Sequence, residues 1–281
     1  MTAYSSAPVE KNSRAGRDLP AAIAVAVALI AVIVASLAFY KDLFIIVVAL
    51  AMLVGLWELG TALSRAGTRM PAVPLGVGAV AMVGGAYYGG PDVLVVLLAA
   101  TALTSILWRM RGGQQGFVRD VSATVFCLVY VPFLASFVAL LLAPEDGVRR
   151  VLTFVAVIIA SDTGGLLFGV LFGKYPMAPV ISPKKSWEGF AGSLIASMVA
   201  GVICLVYLLE GDWWVGLVLG VIAAVAATLG DLAESLIKRD LGIKDMSNIL
   251  PGHGGLMDRL DSMLAAVSVV WLVLHFLLPV A

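Results

Sequence analysis

The sequence predicts an all-α integral membrane protein, a polytopic bundle of about nine transmembrane helices with a cytoplasm-facing polar site. Its 281 residues are 61% hydrophobic and only 13% charged, and the mean hydropathy is +1.04. Soluble domains carry about 25% charged residues. Half of that charge cannot cover the surface of a water-soluble globule, so the apolar excess requires a lipid environment.

Apolar segments of the length that a bilayer requires recur along the chain. Crossing the hydrocarbon core takes about 20 apolar residues, within a range of roughly 17–25. The third segment is the weakest, because it is rich in glycine and is interrupted by Pro71 and Pro74. The nine candidate spans lie at 20–40, 43–62, 72–89, 92–108, 121–142, 150–172, 187–209, 213–230 and 260–280.

The distribution of Lys and Arg predicts the orientation. If the N-terminal residues and every second loop face one side, that side collects 15 of the 18 basic residues. Loops rich in Lys and Arg stay in the cytoplasm. We therefore expect a multi-pass protein of the cell (inner or plasma) membrane with a cytoplasmic N-terminus and polar site. We expect residues 1–18 to form a polar, poorly ordered cytoplasmic tail and residues 19–281 to form the transmembrane domain.

Composition excludes several classes of function. The net charge is zero, so there is no basic field to attract nucleic acid. Cys127 and Cys204 both lie in apolar runs, and their spacing matches neither a disulfide framework nor a metal site. His253 and His275 are the only histidines, which excludes a histidine-rich metal centre.

Asp231, Ser235 and Lys238 are spaced so that they share one face of a helix. If the eighth span continues past Gly230 into the cytoplasm, they form a polar stripe at the membrane surface. The carboxylate would then hold a cation and the lysine a phosphate. The spacing is equally compatible with a solvated helix end.

Residues 251–261, PGHGGLMDRLD, combine a glycine-rich turn with a helix expected to begin near Leu256. The turn exposes backbone N–H groups at a helix N-terminus, where anions bind. Asp258 and Asp261 share a face of that helix, and they repel each other unless a cation lies between them. Mg²⁺ is the natural candidate, since it binds carboxylate and phosphate oxygens together. A capping loop with solvated acids is the alternative.

Asp162 and Glu58 are acidic residues that lie away from the first residues of their predicted spans. Asp162 falls near the middle of the sixth span, where a carboxylate costs roughly 2.5–3.5 kcal/mol, so we expect it to face a polar cavity. Gly165, Gly169 and Gly173 follow at a four-residue spacing that is typical of a close helix contact. Glu58 lies nearer the end of its span and could instead extend to the membrane interface.

The longest polar stretch, 230–261, has eleven fixed positions within 27 residues, in the pattern S-x-x-K-R-x4-K-D-x7-H-G-G-x2-D-R-x-D that begins at Ser235. This run closely resembles the signature of the phosphatidate cytidylyltransferase family, the CDP-diacylglycerol synthases. The upstream segments 161–174 and 182–189 also resemble parts of that family, in the same order and separation. The resemblance covers about residues 160–261, and the earlier residues add only compatible spans.

The resemblance implies an enzyme of phospholipid biosynthesis that converts CTP and phosphatidic acid into CDP-diacylglycerol and pyrophosphate with Mg²⁺. It makes 19–281 a catalytic domain embedded in the lipid bilayer, with 230–261 as its signature region. A second cation, monovalent or divalent, and a homodimer are left open. The lipid phosphate is itself anionic and can act as the nucleophile, so the protein needs no nucleophilic side chain. A metal ion and cationic side chains must instead neutralise and position the phosphates.

Candidate residues follow from the signature and the charge pattern. We predict Asp231 and Asp258 as the principal metal ligands, with Asp261 in support. Lys238 and Arg259 join Asp231 and Asp258 as the predicted catalytic residues. The predicted substrate-binding residues are Lys184, Lys185, Ser235, Arg239, Lys244, Asp245, His253 and Asp162.

Other functions remain open at this point. A CTP-dependent membrane lipid kinase would share parts of such a site but would release CDP instead of pyrophosphate. An ion-coupled transporter would use Asp162 and Glu58 as an intramembrane path, although it predicts acids spread along the spans. A CDP-alcohol phosphotransferase would need a D-G-x2-A-R-type aspartate array, which the chain lacks.

Overall fold

A computed structural model describes residues 19–250 and 254–279. These residues are mostly helical, with one short β-hairpin. The predicted tail, 1–18, and His253 lie outside the described residues. The elements are α1 (Leu19–Phe39), α2 (Lys41–Arg65), α3 (Ala72–Met110), α4 (Phe117–Leu128), a π-helical turn (Val129–Phe133), α5 (Leu134–Leu142), α6 (Gly147–Phe172), β1 (Pro176–Ala178), β2 (Ser182–Ser186), α7 (Trp187–Tyr207), α8 (Trp213–Asp240) and α9 (Met257–Leu277).

Among the described residues, seven helical segments have the length and apolar composition needed to cross a bilayer. The chain is therefore a multi-pass membrane protein, as its composition predicts. The seven segments are Lys41–Arg65, Ala72–Met110, Phe117–Leu142, Gly147–Phe172, Trp187–Tyr207, Trp213–Asp240 and Met257–Leu277.

Helix α3 is broken at Gly90, whose φ of 77° no other residue adopts readily. Its 39 residues would extend roughly 58 Å as one rod, about twice the hydrocarbon thickness. Instead the two halves meet, because a Cβ at Gly78 would lie 2.1 Å from Thr101 and one at Gly85 would lie 2.3 Å from Leu97. The total of nine spans stays a prediction.

Helices α6, α7 and α8 pack closely through small residues. A Cβ at Gly165 would lie 2.4 Å from the Ser193 Oγ, and one at Gly201 would lie 2.3 Å from the Gly216 carbonyl oxygen. Helices approach this closely only where side chains are small. The close contact predicted for the sixth span is confirmed at Gly165.

The segment 173–188, expected as a loop of an all-α protein, contains a β-hairpin. Strand β1 pairs antiparallel with β2, and Pro176 lies opposite Ser186. The Ser186 side chain then caps α7, since its Oγ accepts a hydrogen bond from the Gly189 N–H at 3.1 Å. The hairpin and this cap hold the two lysines of β2 beside the first turn of α7.

Two helix boundaries position the polar segment. Helix α8 continues beyond the predicted eighth span, 213–230, and ends at Asp240, so that it carries the first part of the signature. Helix α9 begins at Met257, which confirms the start expected near Leu256. Gly55 lets α2 lie against this start, because a Cβ there would be 3.0 Å from the Met257 sulfur.

We predict that Gly201→Ala destabilises the protein, because the added Cβ would meet the Gly216 carbonyl and over-packing costs about 1–3 kcal/mol. Gly84→Ala is the matched control, since Gly84 is also helical but has no atom within 4 Å of its Cβ position. Helix propensity alone makes alanine about 1 kcal/mol better than glycine at both positions. Thermal unfolding in detergent, followed by circular dichroism, measures both variants. Equal melting temperatures would contradict the close α7–α8 contact.

Candidate active site

One cavity gathers most of the residues predicted from the signature. Its volume is about 590 Å³, and α6, the hairpin, α7, α8 and α9 all contribute to its walls. Asp162 faces this cavity, as its position within a span requires. The predicted residues that line it are Asp162, Lys184, Lys185, Asp231, Lys238, Asp245, Asp258, Arg259 and Asp261.

Three predicted substrate-binding residues do not line this cavity. Ser235 is half-buried, whereas Arg239 and Lys244 are exposed at the end of α8 and in the loop that follows. Of the predicted stripe on α8, Asp231 and Lys238 reach the cavity and Ser235 does not. A role of these three residues in binding substrate stays a prediction.

Lys238 joins α8 to α9 through two ion pairs. Its Nζ lies 2.8 Å from the Asp258 Oδ1 and also pairs with Glu234, one turn earlier on α8. Glu234 is fully buried, and the Lys238 side chain is only 15% exposed. Sequence reasoning missed Glu234, although its four-residue spacing from Lys238 was a usable signal. The pairing holds the ammonium group at the cavity wall.

Asp258 is a structural node as well as a cavity residue. Its Oδ2 accepts hydrogen bonds from the Met246 N–H at 2.9 Å and from the Gly255 N–H at 2.8 Å, while its Oδ1 faces Lys238. One carboxylate therefore ties the loop after α8 to the first turn of α9. Asp261, one turn later, accepts from the Ser262 N–H at 2.7 Å.

The hairpin closes the opposite wall. Lys185 Nζ lies 2.5 Å from the Asp231 Oδ2, so β2 and α8 are linked across the cavity. Lys184 lines the same cavity beside it. The sequence predicted the two lysines and the aspartate as separate ligands for phosphate and metal, and it did not predict their pairing.

The carboxylates suit a hard cation in kind but not in their present arrangement. Asp162, Asp231, Asp245, Asp258 and Asp261 supply only oxygen donors, which is the chemistry that Mg²⁺ prefers. Over the described ranges, however, no three acidic, histidine or cysteine side chains are grouped as a metal site. Two of the predicted ligands instead face lysine ammonium groups. Binding of a cation would therefore require these ammonium groups to move away.

Glu58 of α2 is fully buried, and its oxygens accept hydrogen bonds from backbone amides and a hydroxyl group. Its Oε1 accepts from the Leu256 N–H at 2.9 Å and from the Ser247 hydroxyl at 2.5 Å, and its Oε2 accepts from the Met257 N–H at 2.7 Å. Sequence reasoning identified the residue but not its partner. These bonds tie Glu58 to the start of α9.

The fold and the residues that line the cavity together indicate the class of protein. A cavity within a membrane-spanning helical bundle is lined by carboxylate, ammonium and guanidinium groups, and no histidine or cysteine lines it among the described residues. Such a set can bind and neutralise phosphates but supplies no soft nucleophile. This donor set is suited to a membrane enzyme that acts on phosphorylated substrates.

The cytidylyltransferase family model matches residues 20–277, and the chain belongs to this family of nucleotidyltransferases. Among similar proteins, the phosphatidate cytidylyltransferase of Mycobacterium bovis is 44% identical over 96% of this chain and 92% of its own length. The protein of the same name from Mycobacterium leprae is 44% identical over 95% of this chain and 91% of its own. That of Staphylococcus haemolyticus is 40% identical over 49% of this chain and 54% of its own.

We predict that Lys238→Met destabilises the protein strongly, because it leaves Glu234 and Asp258 buried beside each other without a positive partner. Removing one member of a buried pair costs about 3–5 kcal/mol. Lys244→Met is the control, since Lys244 is exposed. Thermal unfolding in detergent should show a much lower midpoint for Lys238→Met alone. Matching midpoints for the two variants would mean that the ion pairs do not stabilise the fold.

Proposed function

We propose that this protein transfers the cytidylyl group of CTP to phosphatidic acid, giving CDP-diacylglycerol and pyrophosphate, as a step of phospholipid biosynthesis. The observation that carries the proposal is the cavity, in which side chains of α6, β2, α8 and α9 meet. These elements contain the three sequence segments that resemble the family. The relatives that match nearly the whole chain bear the name of this activity.

In the proposed reaction, a phosphate oxygen of phosphatidic acid attacks the α-phosphorus of CTP. A new oxygen–phosphorus bond forms, the bond between the α-phosphorus and its bridging oxygen breaks, and pyrophosphate leaves with that oxygen. The nucleophile is already anionic, so no side chain needs to remove a proton. The task of the chain is to align two phosphates and to neutralise their charge.

The residues of the chain divide this task by position. Lys238 and Arg259, at the α8–α9 wall, would contact the phosphates of CTP and the departing pyrophosphate. Lys184 and Lys185, on the hairpin, would contact the headgroup of phosphatidic acid. The ion pair between Lys185 and Asp231 must open as the lipid phosphate takes the place of the carboxylate.

Asp231 and Asp258 are the proposed ligands of Mg²⁺, with Asp261 in support. When bound, Mg²⁺ would withdraw charge from the phosphate oxygens. The all-oxygen donor set supports this assignment. The other carboxylates of the cavity could bind a second cation, monovalent or divalent. Before a cation binds, Lys185 pairs with Asp231 and Lys238 pairs with Asp258. These ion pairs reduce the repulsion between the carboxylates.

The proposal includes a topology of nine spans with the N-terminus and the cavity in the cytoplasm, where CTP is available. The break at Gly90 supports two separate crossings within α3. The excess of Lys and Arg on one side supports the orientation. A homodimer is compatible with this topology, and the mass of the protein in detergent would test it.

We predict that Asp231→Asn and Asp258→Asn each abolish the release of pyrophosphate from CTP and phosphatidic acid in detergent. Each substitution removes an anionic metal ligand while nearly preserving side-chain volume. Asp240→Asn is the matched control, since Asp240 also lies on α8 but is exposed. Near wild-type activity of either site variant would refute the metal-ligand assignment.

Release of CDP in place of pyrophosphate would identify a lipid kinase, and ion uptake by proteoliposomes without CTP turnover would identify a transporter.

We predict that a cysteine at Gln114 is shielded from impermeant maleimide in intact cells, whereas one at Glu145 is labelled. Both positions are exposed, and they lie on opposite sides of the membrane in the proposed topology. The background replaces Cys127 and Cys204 by alanine. Permeabilised cells provide the control, because both sites should then react. Labelling in the reverse pattern would contradict the orientation.

A further inference from the structure

The buried carboxylate of Glu58 reaches from the N-terminal part of the chain into the signature segment. Its Oε1 accepts a hydrogen bond from the Leu256 N–H at 2.9 Å, 198 residues further along the chain. Its Oε2 accepts one from the Met257 N–H at 2.7 Å. The third donor is the Ser247 hydroxyl, from the middle of the loop between α8 and α9. Glu58 therefore ties the middle of this loop to the start of α9.

Physical chemistry makes this contact a strong constraint. A buried carboxylate is stable only if hydrogen bonds or charges compensate its lost hydration. The first N–H groups of a helix have no partners within the helix, and the helix dipole makes this end positive. The Glu58 carboxylate thus supplies acceptors for the N–H groups at the start of α9, and these N–H groups compensate the lost hydration of the carboxylate. Among the described residues, no cationic side chain forms an ion pair with Glu58.

The loop approaches α2 closely at Gly255. A Cβ at Gly255 would lie 2.9 Å and 3.0 Å from the two Glu58 oxygens and 3.0 Å from the Asp258 Oδ2. The Gly255 N–H donates to that same Asp258 oxygen at 2.8 Å. Glu58 and Asp258 therefore bind adjacent amides of one turn, from its two sides. A shift of this turn would move Asp258.

We infer that Glu58 is a positioning residue of the cytidylyl-transfer site: it fixes the turn before α9 and, through that turn, the direction of the Asp258 carboxylate toward the cavity. The inference rests on the proposed function for its kinetic consequence, although the positioning itself is independent of it. Glu58 is not among the residues that line the cavity. Its effect on the reaction is exerted through Asp258 alone.

The test is Glu58→Gln in the full-length protein in detergent. The amide has the same shape, but its NH₂ group must face one of the N–H donors. Hydrogen exchange followed by mass spectrometry should show faster exchange in peptides from 246–260 and unchanged exchange in α6 and α7. The Mg²⁺ concentration for half-maximal activity should rise at least about tenfold, as for outer-shell partners of metal ligands. The KM for phosphatidic acid should stay close to the wild-type value, since Lys184 and Lys185 are untouched.

Gly255→Ala approaches the same contact from the loop and guards against a folding defect specific to Glu58→Gln. It should accelerate exchange in the same peptides and raise the Mg²⁺ requirement in the same direction. The double variant should be only slightly worse than the more affected single variant, because residues in direct contact are not additive. Full additivity of the two substitutions would contradict a shared mechanism.

Asp120→Asn is the control for loss of a buried carboxylate as such. Asp120 is also fully buried, and it accepts from the Arg69 N–H at 3.1 Å and from Arg109 and Arg119, away from the signature segment. Its loss should accelerate exchange near those arginines and leave 246–260 and the Mg²⁺ requirement unchanged.

Unchanged exchange at 246–260 in Glu58→Gln would overturn the inference, and so would a loss of protection spread evenly over all helices. Local exchange that rises while the Mg²⁺ requirement stays constant would also overturn it, because Asp258 would then not depend on the turn. If the wild-type protein released no pyrophosphate, the proposed function would fail. The exchange measurement would still decide whether Glu58 holds the turn.

Discussion

The ion pairs of Lys238 with Glu234 and Asp258 are the interaction on which the site depends. They place one ammonium group between carboxylates of two different helices, α8 and α9, in a largely buried setting. Buried charges are costly unless they are paired with good geometry, so each member constrains the others. Lys185 and Asp231 repeat the arrangement between the hairpin and α8. Lys185, Asp231, Lys238 and Asp258 thus line the cavity as ion pairs, and they are the same groups that phosphates and a cation would contact.

Small residues make this arrangement possible within a bundle. Without close contacts such as Gly165 against Ser193 and Gly201 against Gly216, the carboxylates of α6, α8 and α9 could not line a common cavity. Gly230 has the same role beside the site, since a Cβ there would lie 2.6 Å from the Asp261 carbonyl oxygen. Packing of backbones thus sets the distances between charges, and the charges set the chemistry.

Much of the fold could be predicted because it depends on local properties. Composition and the length of apolar runs predict a multi-pass helical protein, and the start of α9 follows from the signature segment. The hairpin at 176–186 was missed, since two strands of three and five residues gain their stability from pairing and from the cap at Ser186 rather than from their own sequence. The membership in the cytidylyltransferase family was predicted from the resemblance of eleven fixed positions and two upstream segments to that family.

By itself, the sequence determined the class of protein, the residue types of the site and the neighbours along each helix, because composition and helical periodicity decide these. Tertiary structure alone decided the partners. It paired Lys185 with Asp231, placed Glu234 opposite Asp258, left Ser235 outside the cavity and joined Glu58 to an amide 198 residues away. Periodicity orients a side chain around its own helix, but which groups it meets depends on how the helices pack, and that is a property of the whole bundle.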